Sequence, residues 1–299
     1  VIKLFSPAKV NLFLQVRGKR PDGFHELASL FQAISLGDVL NYSISDQDRL
    51  CLDESVSSEI SKYPDLMCIR QDIPLDPSNL ILKAVDQYRK KTGFKFFVDV
   101  VLDKRLPMQA GLGGGSSNAA TTLFAINKLL NCPLSFNDLV EISKDLGSDI
   151  TFFFSSATAF CTSRGEVFEN LPPLNIQKHC FIAKPRFGLS TPLVFRNFER
   201  SHSLDIDALS LLNDFYIGKF QFFNDLEQAA FKVEPRLIKV KDALLESGFE
   251  HVIMSGSGTA FFCLGSPVNR PNIDITLYPI TFISRKNDSW YDFFDYHEW

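Results

Sequence analysis

The segment Leu106-Pro107-Met108-Gln109-Ala110-Gly111-Leu112-Gly113-Gly114-Gly115-Ser116-Ser117-Asn118-Ala119-Ala120 constrains this chain more than any other. Four glycines within five residues free the backbone of Cβ atoms, so successive N–H groups can turn toward one point. A strand-like run from Phe94 to about Lys104 precedes the glycines, and Ala119, Leu123, Ile126 and Leu130 follow in helical register. Such a loop presents its amides at a helix N-terminus, where partial positive charge favours anionic oxygen, and it reads as a phosphate cradle. It is not a Walker A loop, because no Lys-Ser or Lys-Thr pair follows the glycines. It also lacks the dinucleotide fingerprint, because Ser116 stands at the last glycine position. Ser116 and Ser117 could cap the helix, touch a phosphate or help hold Mg²⁺.

The 299 residues fit about two domains of ~100–200 residues each. With 31 Lys and Arg against 35 Asp and Glu, the net charge of −4 withholds the attraction that nucleic-acid binding relies on, so no nucleic-acid partner is expected. A hydrophobic content of 45% supports large cores, and the 29 phenylalanines read as general core filler. The densest apolar runs, Ile150–Phe154 and Ala260–Leu264, fall far short of the ~20 residues of a membrane span. Ser6 and Pro7 interrupt the few apolar residues between Lys3 and Lys9, unlike a secretory signal, so a cytoplasmic address without membrane partners is expected. The cysteines Cys51, Cys68, Cys132, Cys161, Cys180 and Cys263 are scattered, with no C-x-x-C pair, and read as buried thiols.

Val10–Val16 alternates apolar residues as a strand does, and Pro21-Asp22-Gly23 breaks it, which predicts a hairpin. Ser78 is the expected N-cap of a helix closing at Gly93; Ser135 with Asp138 predicts a capping box for a helix running to Gly147. Pro235 opens another helix that ends at Gly248. A strand reaching Met254 meets Ser255-Gly256-Ser257-Gly258-Thr259 and resumes at Ala260–Leu264. With no repeat and no long linker, alternation in the two halves divides the chain into residues 1–156 and 157–299. Asn287–Trp299, aromatic and acidic, is assigned no function.

Taken singly, Lys9 reads as a strand lysine, Asp149 as a loop carboxylate and Ser255–Thr259 as a tight turn. Together they form an ordered set: Pro7-Ala8-Lys9-Val10-Asn11-Leu12, then Pro107 with the glycine loop through Ala120, then Gly256-Ser257-Gly258. This order and spacing resembles the superfamily of galactokinase, homoserine kinase, mevalonate kinase and phosphomevalonate kinase. Further marks are Asp22-Gly23-Phe24-His25-Glu26-Leu27, Gly147-Ser148-Asp149 and Asn224-Asp225-Leu226-Glu227. They are similar to the branch that acts on 4-diphosphocytidyl-2-C-methyl-D-erythritol, over roughly residues 3 to 265.

The resemblance implies an α+β, two-layer fold in two domains, the N-terminal one binding ATP and the C-terminal one of ferredoxin-like type. It implies ATP and Mg²⁺ as cofactors and phosphorylation of the 2-hydroxyl of that small-molecule substrate. By match, Asp149 takes the hydroxyl proton and Lys9 lies between it and the γ-phosphate, while Pro107, Gly111, Leu112, Gly113, Gly114, Gly115, Ser116 and Ser117 hold ATP. His25 reads the cytosine edge, Phe24 and Phe195 stack on its two faces, and Asn11 and Thr191 contact the rest of the substrate. Phe24 stands where the family has Tyr, and Ser148 and Thr151 replace the family's Ala and Pro beside Asp149. Two other readings share the glycine loop: a kinase of a different alcohol, which Phe24-His25 argues against, and an inactive nucleotide-binding module, which the joint presence of Lys9 and Asp149 argues against.

Overall fold

A computed structural model describes residues 1–53, 73–199, 206–286 and 289–292. Its frame is one long antiparallel hairpin, β1 (Ile2–Lys19) and β2 (His25–Ser45), paired from Ile2 with Tyr42 to Lys19 with His25. The strand expected at Val10–Val16 is thus extended at both ends. Pro7 does not stop it, because the register shifts between Pro7 and Ala8, where a bulge excuses the missing N–H.

β2 is long enough to take two further partners along its other edge. Leu27–Gln32 pairs with β5 (Thr158–Ser163), and Val39–Ser45 pairs with β4 (Phe97–Asp103), beside which β3 (Arg49–Leu52) runs parallel. β6 (Val167–Asn170) pairs with β5, and β8 (Phe223–Asn224) lies parallel to β1. The division expected at 156/157 therefore precedes three strands, β5, β6 and β8, that belong to this first sheet. Helices α1 (Leu80–Thr92), α2 (Gly114–Leu129) and α3 (Phe136–Lys144) share its core, where Tyr42, Val98 and Val100 pack with Ala84, Leu123 and Ile126.

The second sheet holds β7 (Cys180–Pro185), β9 (His251–Met254), β10 (Phe261–Leu264) and β11 (Ile275–Ile280), all antiparallel in the order β11-β7-β10-β9. That is the strand order of a ferredoxin-like sheet. Helices α4 (Thr191–Arg196), α5 (Ala208–Tyr216), α6 (Glu227–Val233) and α7 (Arg236–Glu246) all fall between β7 and β9 in the chain. β10 is apolar throughout because both faces are covered: Phe262 and Leu264 pack with Val10, Leu12 and Ile34 of the first sheet. Phe261 and Cys263 pack with Leu237, Val240 and Leu244 of α7.

Local signals are mostly met. Ser135 and Asp138 form the reciprocal capping box, and Gly93 caps α1 at φ 71°. The N-cap of α1, however, is Asn79 rather than Ser78: the Asn79 side chain accepts from the Ile81 amide at 2.9 Å, while Ser78 donates its own amide to Asp76. α3 stops at Lys144, short of Gly147, and β4 starts at Phe97 rather than Phe94. Cys161, Cys180 and Cys263 are buried as expected, but Cys132 is exposed and Cys51 half-buried; Cys68 lies outside the described residues.

The C-terminal segment, given no role from sequence, straps the first unit. Trp290 stacks on Phe124 of α2 at 4.7 Å and donates Nε1–H to the Phe5 carbonyl. Arg285 donates to the carbonyls of Phe154 (2.6 Å) and Ser155 (2.7 Å), which close the short 3₁₀ turn Thr151–Phe154 just after Asp149. Residues 293–299 lie outside the described residues.

Candidate active site

The glycine loop does open a helix. Gly113 is the N-cap of α2 at φ +69°, and Gly114, Gly115 and Ser116 form its first turn, with their amides free for a ligand as helix starts leave them. Positive φ is needed at Gly111 and Gly113, both in the left-handed region that side chains resist. Gly111 also admits no side chain for lack of room. A Cβ there would run into the Ser255 carbonyl and come 3.0 Å from the Gly258 amide nitrogen.

That close approach joins the two glycine motifs. Thr259 and Ala260 donate their amides to the carbonyls of Gln109 and Ala110, and the Ser255 hydroxyl donates to the Gly111 carbonyl at 3.0 Å. The Ser255–Thr259 turn is thus a brace for the glycine loop. It is held in turn by the Asn224–Glu227 motif: Asn224 donates Nδ2–H to the carbonyls of Met254 and Gly256, both at 2.7 Å, and Glu227 accepts the Met254 amide. Asp225 accepts the Val16 amide at 2.8 Å and ties the bracket to β1. A Gly111→Ala variant is expected to part the loop from its brace and raise the KM for ATP at least roughly tenfold, since the left-handed conformation alone costs ~1–2 kcal/mol. Calorimetric ATP titration of the folded variant checks this; unchanged affinity would count against the brace.

Lys9 and Asp149, far apart in sequence, meet at this loop. Lys9 is only 3% exposed; its Nζ lies 3.2 Å from Asp149 Oδ2 and donates to Asn11 Oδ1 at 2.8 Å, 4.5 Å from the centre of the Phe31 ring. Asn11 in turn donates to Ser29 Oγ at 2.8 Å, which fixes the amide's orientation. The Lys9 amide donates to the Leu112 carbonyl, so strand β1 and the glycine loop are joined at the lysine itself. Asp149 is about one-third exposed and faces the open cleft. A buried, oriented ammonium beside an accessible carboxylate suits proton removal next to a transferring anion.

The cleft encloses about 1020 Å³ and is lined by Lys9, Asn11, Phe24, His25, Pro107, Gly111–Ser116, Asp149, Thr191 and Phe195, so nearly every site residue expected from the sequence converges there. Ser117 does not. One residue past Ser116 turns it about 100° around α2 toward the sheet, where it is fully buried against the Ser6 hydroxyl at 2.8 Å and does not line the cleft. Thr191 shares a 2.6 Å hydrogen bond with Ser257.

From the glycine loop the cleft runs two ways. At one end His25 stacks on Phe195 (5.2 Å between centroids, 27° between planes) and meets Phe198 edge-on. One face of Phe195 is therefore occupied by His25, and Phe24, exposed, carries the Arg164 guanidinium over its ring at 5.0 Å. Burial, aided by the charge of Lys19, lowers the His25 pKa; a neutral ring offers one donor and one acceptor to a base edge. Sequence reasoning missed Phe198 and Arg164, which stand outside every motif.

The other end is lined by Ile73, Pro74, Asn79, Leu80, Leu102 and Lys104. Here the sequence signal was absent altogether for Asp38, the organising residue. It is fully buried and accepts from Lys104 Nζ (2.7 and 3.0 Å), the amides of Arg105 (2.8 Å) and Leu106 (2.7 Å), and Asn118 Nδ2 (2.9 Å). It thereby joins the end of β4 to the first turns of α2.

Residues 79–157 match the family model for the GHMP kinases N terminal domain. The 4-diphosphocytidyl-2-C-methyl-D-erythritol kinase of Protochlamydia amoebophila is 45% identical over 97% of this chain and 93% of its own length. The chloroplastic protein of that name from Arabidopsis thaliana is 40% identical over 97% of this chain and 76% of its own. A crystal structure of 4-(cytidine 5'-diphospho)-2C-methyl-D-erythritol kinase is 31% identical and superposes with a TM-score of 0.70, covering 89% of this chain and 91% of that one. The homoserine kinase of Cytophaga hutchinsonii, 18% identical over 94% of both chains, shares the fold at a TM-score of 0.64.

Proposed function

Because the chain belongs to the 4-diphosphocytidyl-2-C-methyl-D-erythritol kinases of the GHMP kinase superfamily, we propose a division of labour for its cleft in which Asp149 is the general base and Lys9 its electrostatic partner. The protein is an ATP-dependent kinase that phosphorylates 4-diphosphocytidyl-2-C-methyl-D-erythritol in the non-mevalonate route to isoprenoid precursors. The 2-hydroxyl is the acceptor. The observation that carries the assignment of roles is the 3.2 Å Lys9–Asp149 pair at the mouth of the glycine loop, between the two ends of the cleft.

In this reading the ATP phosphates rest on the amides of Gly114, Gly115 and Ser116, and the adenine lies toward Asn79, Leu80 and Lys104. The cytosine lies toward His25, Phe24 and Phe195, and Asn11 and Thr191 meet the sugar-alcohol portion. Asp149 accepts the hydroxyl proton as the oxygen approaches phosphorus, and Lys9 offsets charge on the transferring group. The acceptor alcohol is tertiary, so alignment is the harder part of the task and the rigid Lys9–Asn11–Ser29 chain serves it.

Among the described residues no cluster of three His, Cys, Asp or Glu could cage a metal. Mg²⁺ needs only one or two protein oxygens when phosphates and water supply the rest, so the Ser116 hydroxyl at the loop is a fitting donor. When bound, the ion would offset charge on the β- and γ-phosphates. No described helix is long and apolar enough to cross a membrane, and the cytoplasmic address expected from sequence is kept as part of this reading.

A coupled assay of ADP release is expected to give turnover with the cytidine substrate and none with mevalonate or homoserine. The uridine analogue, which exchanges an amino donor for a carbonyl acceptor, should react ~10²-fold or more slowly. Equal rates with cytidine and uridine substrates would overturn the placing of His25 at the base edge.

A further inference from the structure

We propose that Arg164 is the clamp for the diphosphate of the cytidine substrate and sets the preference for a nucleoside diphosphate ester over a bare nucleoside. The inference rests on the substrate reading above. Of the cations lining the cleft, Lys9 is paired with Asp149 and Lys104 with Asp38, both beside the glycine loop. Lys19, Arg164 and Arg196 line the remaining wall, and Arg164 both covers the Phe24 ring at the base end and precedes Gly165, which lies beside Asp149.

Two distances fix that position. The Arg164 guanidinium carbon is 5.0 Å from the centre of the Phe24 ring, at the base end. The next residue, Gly165, lies so close to the catalytic loop that a Cβ on it would stand 3.5 Å from Asp149 Oδ1. A ligand with its base at Phe24 and His25 and its acceptor hydroxyl at Asp149 spans the turn that carries Arg164, with its two phosphates between those ends.

The turn that presents Arg164 is built rather than loose. Arg164 donates its amide to Glu166 Oε2 at 2.8 Å, and Ser163 donates its hydroxyl to Glu166 Oε1 at 3.0 Å. The Ser163 amide reaches Glu26 Oε1 at 3.1 Å, and Arg20 Nη1 donates to both Glu26 (2.8 Å) and Ser163 (2.7 Å). Gly165 adopts φ +112°, which lets the chain reverse beside Asp149. Within this frame the Arg164 Nε–H donates to Glu166 Oε1 at 3.2 Å and its charge also acts on the Asp22 carboxylate, while its two terminal amino groups make no hydrogen bond among the described residues. A planar fork already stacked on an aromatic face, with its outer N–H groups unused, is matched to bidentate capture of phosphate oxygens.

The experiment compares wild type, Arg164→Gln and Arg164→Lys in steady-state kinetics, with CDP and cytidine as competitive inhibitors. The side chain is part-exposed, so the variants are expected to melt at the wild-type temperature. For Arg164→Gln, the KM of the cytidine substrate and the Ki of CDP should each rise about 10- to 100-fold, while the Ki of cytidine and the KM of ATP shift by less than about twofold. Arg164→Lys should recover part of the loss, since it keeps charge but not the fork. A CDP-to-cytidine affinity ratio in Arg164→Gln within twofold of wild type overturns the clamp while leaving the substrate reading intact. A wild-type protein that neither turns over the cytidine substrate nor binds CDP overturns both.

Discussion

Asp149→Asn is expected to lower kcat by ~10²–10⁴-fold while ATP and the cytidine substrate still bind within a few-fold of wild type. The change keeps size and polarity at a one-third-exposed position but removes the proton acceptor. Lys9 will feel it too, because the buried ammonium then retains only the Asn11 carbonyl at 2.8 Å and the Phe31 ring face as strong partners. Part of any lost activity could therefore come from a lysine drifting out of line. Single-turnover rates together with calorimetric binding separate the two: a missing base leaves affinities intact, whereas a displaced lysine weakens ATP. A variant that keeps more than about a tenth of wild-type kcat with normal binding would sink the general-base assignment, because that loss is too small for removal of a positioned base.

The second large effect is expected in stability. Asp38→Ala would strand the Lys104 ammonium, which is 6% exposed, and leave the Arg105 and Leu106 amides and Asn118 Nδ2 without their acceptor. Removing one partner of a buried, hydrogen-bonded ion pair costs about 3–5 kcal/mol, a large part of the stability an ordinary domain has. Urea unfolding reads this directly. A double variant with Lys104→Met should recover part of the loss, because the uncompensated charge is then gone while the stranded amides remain. A loss below about 1 kcal/mol for Asp38→Ala would mean that water reaches the site and that Asp38 does not organise it.

The distance along the chain between cooperating residues decides how much of this fold and site is legible in the sequence. Signals that depend on neighbours three or four positions away were legible. The Ser135–Asp138 box, the Gly93 cap and the helix that starts behind Gly113 all follow from the orphan amides and carbonyls of a helix end. The cradle was legible for the same reason, since glycines before a helix start leave little else for those amides to do. Small errors also came from local competition. Ser78 and Asn79 are both good caps, and Asp76 decided between them by taking the Ser78 amide.

What the sequence determined by itself is thus a strand, a phosphate-binding glycine loop and a helix, with a lysine and an aspartate whose pairing with the loop rested on resemblance. Only the tertiary structure decided which groups meet. The long β1–β2 hairpin, with its bulge at Pro7, brings Lys9 under the loop and within 3.2 Å of a carboxylate from beyond α3. Helical rotation sends Ser116 to the cleft and Ser117 into the core. Asp38, Asn224 and Arg285 act through partners many positions away, and no periodicity marks them, because a hydrogen bond or ion pair across a sheet depends on strand register and not on spacing in the chain. A buried carboxylate with four donors looks, in one dimension, like any aspartate after a glycine; only burial makes its bonds strong and its loss costly.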